Sequence, residues 1–328
     1  KRVCDSSNYR GIALSSIVGK VIDLICLDRF AEHLITSELQ FGFKKGHSTN
    51  ACTMVLKETI AYYTTNHSPV FCIFLDATKA FDKVRYDKLF DELIARNIPP
   101  VVLRLLLNMY TNQSARVNWN GTFSDSFKVL NGVKQGAVLS PVLFCVYIDG
   151  LLNRLKSSGL GCYIGSNFLG ALAYADDLTI LAPSAYATRQ MLTICSEYAA
   201  EFSITFNVSQ TKCLIFDSEM KCKQPDCPQF CINDEAIENV DEWLHLGNLI
   251  NVALNDSAAV SARHIKFIGQ ANDVLWFFAK LDPIVKNDLL FKYCSSFYGS
   301  VVWDLQCAEI SHICSTWRSA LWRIWHLP

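Results

Sequence analysis

Apolar residues Ile17, Val18, Val21, Ile22, Ile25 and Leu34 recur at helical spacing and predict a helix over residues 16–34. A second helix is expected over residues 48–64, with Ser48 or Thr49 at its N-cap, where a side-chain oxygen can take an orphan amide. Residues 70–75 follow a proline and are apolar without a break, the signature of a strand buried on both faces. That run ends in a carboxylate, Asp76. Helical patterns return over residues 86–96 and, after Pro99-Pro100, over 101–112. Residues 116–129 alternate around Asn120-Gly121, a strong hairpin turn. Ser140-Pro141 then opens a long helix as cap and first-turn proline. Residues 163–181 predict another hairpin with Ala175-Asp176-Asp177 at its tip, and residues 185–202 a further helix. Short strands are expected near 213–216, 230–233 and 243–250, and from Ser257 onward the pattern is helical. The chain therefore belongs to the α+β class, with antiparallel strands, packed helices and an all-α tail.

Composition changes the picture in three ways. A chain of 328 residues, 51% of them apolar, supports a large core and about two domains. Its net charge of −1 does not suit broad contact with a phosphate backbone, which draws on clustered Lys and Arg. Any nucleic-acid surface must be local, or lie on sequence outside this chain, whose first residue is Lys1 rather than Met. The fourteen cysteines are scattered and no secretory signal is present, so reduced thiols in an intracellular protein of nucleus or cytoplasm are expected. Cys222, Cys227 and Cys231 would need a fourth ligand, Cys213 or His245, and tighter pairs to hold zinc; they read as loop thiols. No apolar run approaches the ~18 residues of a membrane span.

Three acids stand apart. Asp76 closes a buried strand, and Asp176 and Asp177 occupy the turn of an apolar hairpin. An Asp-Asp pair by itself is a common turn tip. Carboxylates against apolar strands are costly unless paired or bound to metal, and adjacent acids repel, so a divalent cation is the natural partner. Hard cations such as Mg²⁺ take oxygen ligands. Two of them stabilise the attacking and leaving oxygens of an in-line phosphoryl transfer.

The wording around these acids resembles the non-LTR retrotransposon reverse transcriptases. Phe74-Leu75-Asp76-Ala77-Thr78-Lys79-Ala80-Phe81-Asp82 is similar to their polymerase motif A, and residues 131–141, Asn-Gly-Val-Lys-Gln-Gly-Ala-Val-Leu-Ser-Pro, resemble motif B. Ala173-Tyr174-Ala175-Asp176-Asp177 looks like motif C. Asn8-Tyr9-Arg10-Gly11-Ile12 and residues 40–49, Gln-Phe-Gly-Phe-Lys-Lys-Gly-His-Ser-Thr, resemble fingers motifs. Gln210-Thr211-Lys212 is similar to motif D, Leu246-Gly247 to the primer grip, and Tyr298-Gly299 with Trp303 to the thumb. An ordered series across nearly the whole chain is far more specific than any one motif.

The resemblance implies a right-hand polymerase: fingers at 1–69 and 86–128, an antiparallel palm at 70–85 and 129–250, and a helical thumb at 251–328. It implies an RNA-directed DNA polymerase acting on an RNA template, a DNA primer and dNTPs, with Mg²⁺, or alternatively Mn²⁺, as cofactor. Asp76, Asp176, Asp177 and the Ala77 carbonyl would ligate the metals. Phe81 would exclude a ribose 2′-OH, Gln135 and Gly136 would lie against the incoming nucleotide, and Arg10 would grip its phosphates. Lys212 would protonate or screen the leaving pyrophosphate. Arg263, Lys266, Lys280, Lys286 and Lys292 would track the template–primer backbone. The family often has Arg where Lys44 and His47 stand and an aromatic where His245 stands, and the usual fingers lysine is missing unless Lys1 replaces it. Flanking endonuclease or nucleic-acid-binding domains are expected in the full protein. Alternatives still open here are an inactive RNA-binding relic, an intron-maturase or telomerase-like enzyme, and an unrelated metal phosphotransferase.

Overall fold

A computed structural model of the chain describes residue 9 and residues 11–217, 228–295 and 297–327. Its centre is a five-stranded sheet. The strands are β1 (Val70–Leu75), β2 (Ala171–Tyr174), β3 (Asp177–Ala182), β4 (Lys212–Phe216) and β5 (Glu238–Asn239), in the spatial order β5-β4-β1-β3-β2. Pairings are antiparallel except for β4 with β5, which is parallel and departs from the all-antiparallel expectation.

β1 lies in the middle and every one of its residues is buried. Alternation explains why its sequence never breaks to polar. Phe71, Ile73 and Leu75 join Leu178 and Ile180 in one hydrophobic cluster, which includes Phe144, Ile148 and Leu151 of α5 (Ser140–Ser157) and Met191 and Tyr198 of α6 (Ala185–Phe202). Val70, Cys72 and Phe74 point the other way. They meet Leu172, Leu181, Leu214 and helix α2 (Thr49–Thr65) through Cys52, Leu56 and Ile60. Ser48 caps α2 as expected, accepting from the Ala51 amide at 3.1 Å.

Two expectations are corrected. Ser140 does not cap α5: Leu139 occupies that position, and Ser140 is buried inside the helix beside Tyr110. The carboxylate that meets the amides there is distant in sequence; Asp23 of α1 (Ile17–Arg29) accepts from Val138 and Leu139 at 3.2 and 3.3 Å. The acidic hairpin also turns tighter than expected. Tyr174 already pairs with Asp177, so the tip is Ala175-Asp176 and Asp177 belongs to β3.

The predicted Asn120-Gly121 hairpin forms, with both residues at positive φ and flanking pairs Asn118 to Phe123 and Trp119 to Thr122. Residues 243–250 form a separate hairpin rather than part of the main sheet, β6 (Glu242–His245) with β7 (Asn248–Asn251). The tail is helical: α7 (Ser257–Phe277), α8 (Pro283–Leu289) and α9 (Ala308–Trp325) enclose their own cluster, in which Phe267 stacks on Trp317 at 5.4 Å. Among the described residues no helix is long and apolar enough to cross a membrane.

A buried ion pair joins α5 to the segments on either side of it. Asp149 is 4% exposed, pairs with Arg96 at 2.6 Å and accepts from the Ser37 amide at 2.7 Å. Arg96 also donates to the Ile35 carbonyl. Removing one partner of such a pair strands the other charge away from water. Asp149→Ala should therefore lower unfolding stability by about 3–5 kcal/mol, measured as a shift of the urea midpoint at unchanged m-value.

Candidate active site

Asp76 directly follows β1 and Asp177 opens β3. Leu75 pairs with Leu178; one residue further, the same register sets Asp76 beside Asp177. Both acids line a cleft of about 220 Å³ whose other walls include Phe74, Gln210, Trp243, His245 and Leu246. Asp176 is half-buried in the adjoining turn, next to Ala175 with its φ of +57°. All three predicted acids thus come to one end of the central sheet. Among the described residues no three His, Cys, Asp or Glu side chains are gathered as a preformed metal site; the backbone supplies the juxtaposition.

The segment after β1 is clamped on the side of β4. The Asp76 amide donates to Thr211 Oγ1 at 3.3 Å, and the Asp76 carbonyl accepts from the Asn207 amide at 2.8 Å. The Thr78 amide donates to the Thr205 carbonyl at 2.8 Å. Ala77 bridges Phe206 between these bonds, and its own carbonyl is not an acceptor in that bridge.

Phe81 is half-buried and stacks on Phe144, with ring centroids 4.7 Å apart. Its carbonyl accepts from Val133 at 2.8 Å, and the Val84 carbonyl accepts from Gly132 at 2.7 Å. A Cβ on Gly132 would lie 2.8 Å from the Asp82 carbonyl oxygen, so glycine permits this close strapping of two loops. Gln135 completes the strap by donating from Nε2 to Asp82 Oδ1 at 2.9 Å, while its carbonyl accepts from Ala13 at 2.8 Å. Gly136 is exposed beside it. Phe81, Gln135 and Gly136 are therefore brought together.

Other expected residues fare differently. Arg10 lies outside the described residues, as do Lys1, Cys222 and Cys227. Cys231 is exposed and Cys213 buried. Lys212 is paired with Glu238 of β5 at 2.5 Å and donates to the Ser209 carbonyl at 2.8 Å. Lys44 donates to the Thr36 and Ser37 carbonyls, both at 3.1 Å, and so holds its own loop. Lys286, expected on a solvated basic track, is 5% exposed and cannot follow a phosphate backbone from there. Lys266 and Lys280 are exposed, and Lys292 pairs with Asp288 at 3.3 Å.

The turn of the β6–β7 hairpin is Leu246-Gly247, both at positive φ. Tyr298 braces it from the tail, donating its hydroxyl toward the Leu246 carbonyl at 2.8 Å, with Thr49 Oγ1 at 2.6 Å. Arg263 donates to the Gly247 carbonyl at 3.3 Å. A Cβ on Gly247 would meet the Tyr298 ring at 2.8 Å. Local sequence patterns gave no signal for this brace.

Residues 1–270 match the family described as reverse transcriptase (RNA-dependent DNA polymerase). The chain belongs to that reverse transcriptase family. It is 26% identical over 251 residues to the Retrovirus-related Pol polyprotein from type-2 retrotransposable element R2DM of Drosophila melanogaster, covering 73% of this chain and 23% of that protein. It is 25% identical over 327 residues to a probable RNA-directed DNA polymerase from transposon X-element of the same organism, covering 94% of this chain and 34% of the relative. This reverse transcriptase chain thus spans a quarter to a third of those relatives. Its fold is the right-hand polymerase fold. The apo telomerase of Candida Tropicalis superposes with a TM-score of 0.51 at 12% identity, over 94% of this chain and 48% of that one.

His245 sits at the floor of the cleft, tilted against Phe74 at 4.7 Å with Nε2 3.3 Å from Thr179 Oγ1. Burial pushes its imidazole down from 6.5 to about 4. Between those values the unfolded chain takes up a proton that the folded reverse transcriptase core refuses. Stability should thus fall as pH drops from 6.5 towards 4, with His245 contributing a slope of about 1.4 kcal/mol per pH unit. His245→Phe should flatten this acid limb relative to the parent in urea titrations at stepped pH.

Proposed function

We propose that this chain is the polymerase core of an RNA-directed DNA polymerase of a non-LTR mobile element, extending a DNA primer on an RNA template. One observation carries the proposal: in a chain of the reverse transcriptase family, the β1–β3 register sets Asp76 beside Asp177, with Asp176 in the adjoining turn. The donor chemistry fits Mg²⁺, or Mn²⁺ in its place. Asp76, Asp176, Asp177 and the Ala77 carbonyl are hard oxygen donors at one sheet end, and they would hold the ions. Bound there, the cations supply Lewis-acid stabilisation of the charge that develops on the transferring phosphoryl group.

The chain's own residues do the rest by position. The primer 3′-hydroxyl oxygen attacks the α-phosphorus of a dNTP and its proton passes to solvent; the bond from that phosphorus to the α–β bridging oxygen breaks and pyrophosphate leaves. Phe81, stacked on Phe144, would exclude a ribose 2′-OH by its bulk. Gln135 and Gly136 would lie against the incoming nucleotide, and Arg10 would meet the nucleotide phosphates. Lys212, paired with Glu238, would protonate or screen the leaving pyrophosphate. Leu246 and Gly247 would hold the primer end. We assign residues 1–69 and 86–128 to fingers, 70–85 and 129–250 to palm, and 251–328 to thumb. The full protein would carry endonuclease or further nucleic-acid-binding segments and work inside the cell.

Asp76→Ala, Asp176→Ala and Asp177→Ala should each abolish dNTP incorporation in a primer-extension assay while the protein stays folded, since lost carboxylate repulsion does not harm the apo state. Near-normal extension by Asp176→Ala would contradict the proposal. Phe81→Val should lower the ratio of kcat/KM for dNTP over rNTP by admitting the 2′-OH. An unchanged ratio in an active variant would reduce Phe81 to a core aromatic.

A further inference from the structure

The turn that carries Asp176 is held from outside its own hairpin. Residues 39–42 run along the free edge of β2: the Ala173 amide donates to the Leu39 carbonyl at 2.8 Å, and the Phe41 amide to the Ala173 carbonyl at 2.7 Å. Between them Gln40, fully buried at 0% exposure, reaches the turn itself. Its Oε1 accepts from the Ala175 amide at 2.9 Å and from the Gly42 amide at 2.8 Å. Both partners are N–H donors, so the atom that faces them must be the side-chain carbonyl. This fixes the amide orientation and leaves Gln40 Nε2 buried without a hydrogen-bond partner among the described residues.

Two costs meet at this contact. A buried donor goes unpaired, which native proteins rarely tolerate. Ala175 also sits at φ +57°, a region that side chains with a Cβ avoid. Gly42 belongs to the same device: a Cβ there would lie 2.5 Å from the Ala175 nitrogen, so a larger residue would push the strap off the turn. Strain of this kind persists where the surroundings over-determine it, and it clusters at functional sites.

We propose that Gln40 is a positioning residue of the active site, which holds Ala175 in its left-handed conformation and thereby aims the Asp176 and Asp177 carboxylates. Fully buried, it would touch neither substrate nor metal. The kinetic arm of the test rests on the polymerase function proposed above; a second arm does not.

Gln40→Met keeps the side chain's length and removes the acceptor. Hydrogen exchange of the Ala175 amide should become fast in this variant while exchange across β1 and α5 stays slow. Mn²⁺ titration followed by EPR should show weakened binding. In primer extension kcat should fall roughly 100-fold, the scale expected of a small misplacement of reacting groups, with the KM for dNTP little changed. Adding Ala175→Gly should restore part of the lost rate, because glycine takes positive φ without help. Gln40→Glu retains an acceptor oxygen and should keep the Ala175 amide protected. Slow, parent-like exchange at Ala175 in Gln40→Met would overturn the proposal, as would fast exchange in Gln40→Glu. If Gln40→Met does not fold, Gln40→Glu decides. Failure of the parent chain to extend primers would overturn the polymerase function instead, leaving the exchange arm, which needs no catalysis, to judge Gln40.

Discussion

The antiparallel pairing of β1 with β3 is the constraint on which the rest depends. Leu75 stands opposite Leu178 with both faces of the sheet buried, and a one-residue slip would exchange the side chains that fill the two cores, so the register is held by the fit of each set to its own cluster. The acids inherit their placement from that register. Asp76 and Asp177 lie one step beyond the last apolar pair, where the strands leave the core. Packing energy from two hydrophobic faces thus sets the position of groups that themselves oppose folding.

The surroundings of those groups are apolar on the side of the core. Cys52 in α2 has its thiol pushed up to about 12 by burial and then by the charge of Asp177. Cys145 in α5 is pushed up to about 12 by burial, then by Asp149 and Asp176. These thiols stay neutral and act as small apolar side chains behind the carboxylates. Asp76 and Asp177 therefore sit at the rim of this apolar packing and line a small cleft, with Asp176 half-buried in the adjoining turn, and hard oxygen donors of this kind suit a hard cation.

Elements with a local cause were legible in the sequence. The unbroken apolar run of β1, the Ser48 cap and the Asn120-Gly121 turn all follow from neighbours a few residues apart. The three acids stood out because nothing in stability calls for them. What remained hidden was non-local. Asp23, rather than Ser140, meets the amides ahead of α5, more than a hundred residues away. Gln40 reaches Ala175 across 135 positions, and Lys212 finds Glu238 only because a parallel strand returns beside it. Lys286 shows the converse: a helical charge pattern does not say which face the fold will cover.

Lys57 gives the tail a further meaning. Its ammonium, 16% exposed, lies 2.5 Å from the Asp256 carboxylate at the head of α7 and donates to the Val302 carbonyl at 3.1 Å. Asp256 in turn accepts from the Asp304 amide at 2.8 Å. Half of this buried charge network therefore belongs to α2, against the central sheet, and half to the tail. A protein trimmed after β7 would keep Lys57 in place and lose the anion and carbonyl it was built around. The sheet and the helical tail are in this sense one folding unit, and a minimal fragment cannot be cut between them without stripping a half-buried cation of both its partners.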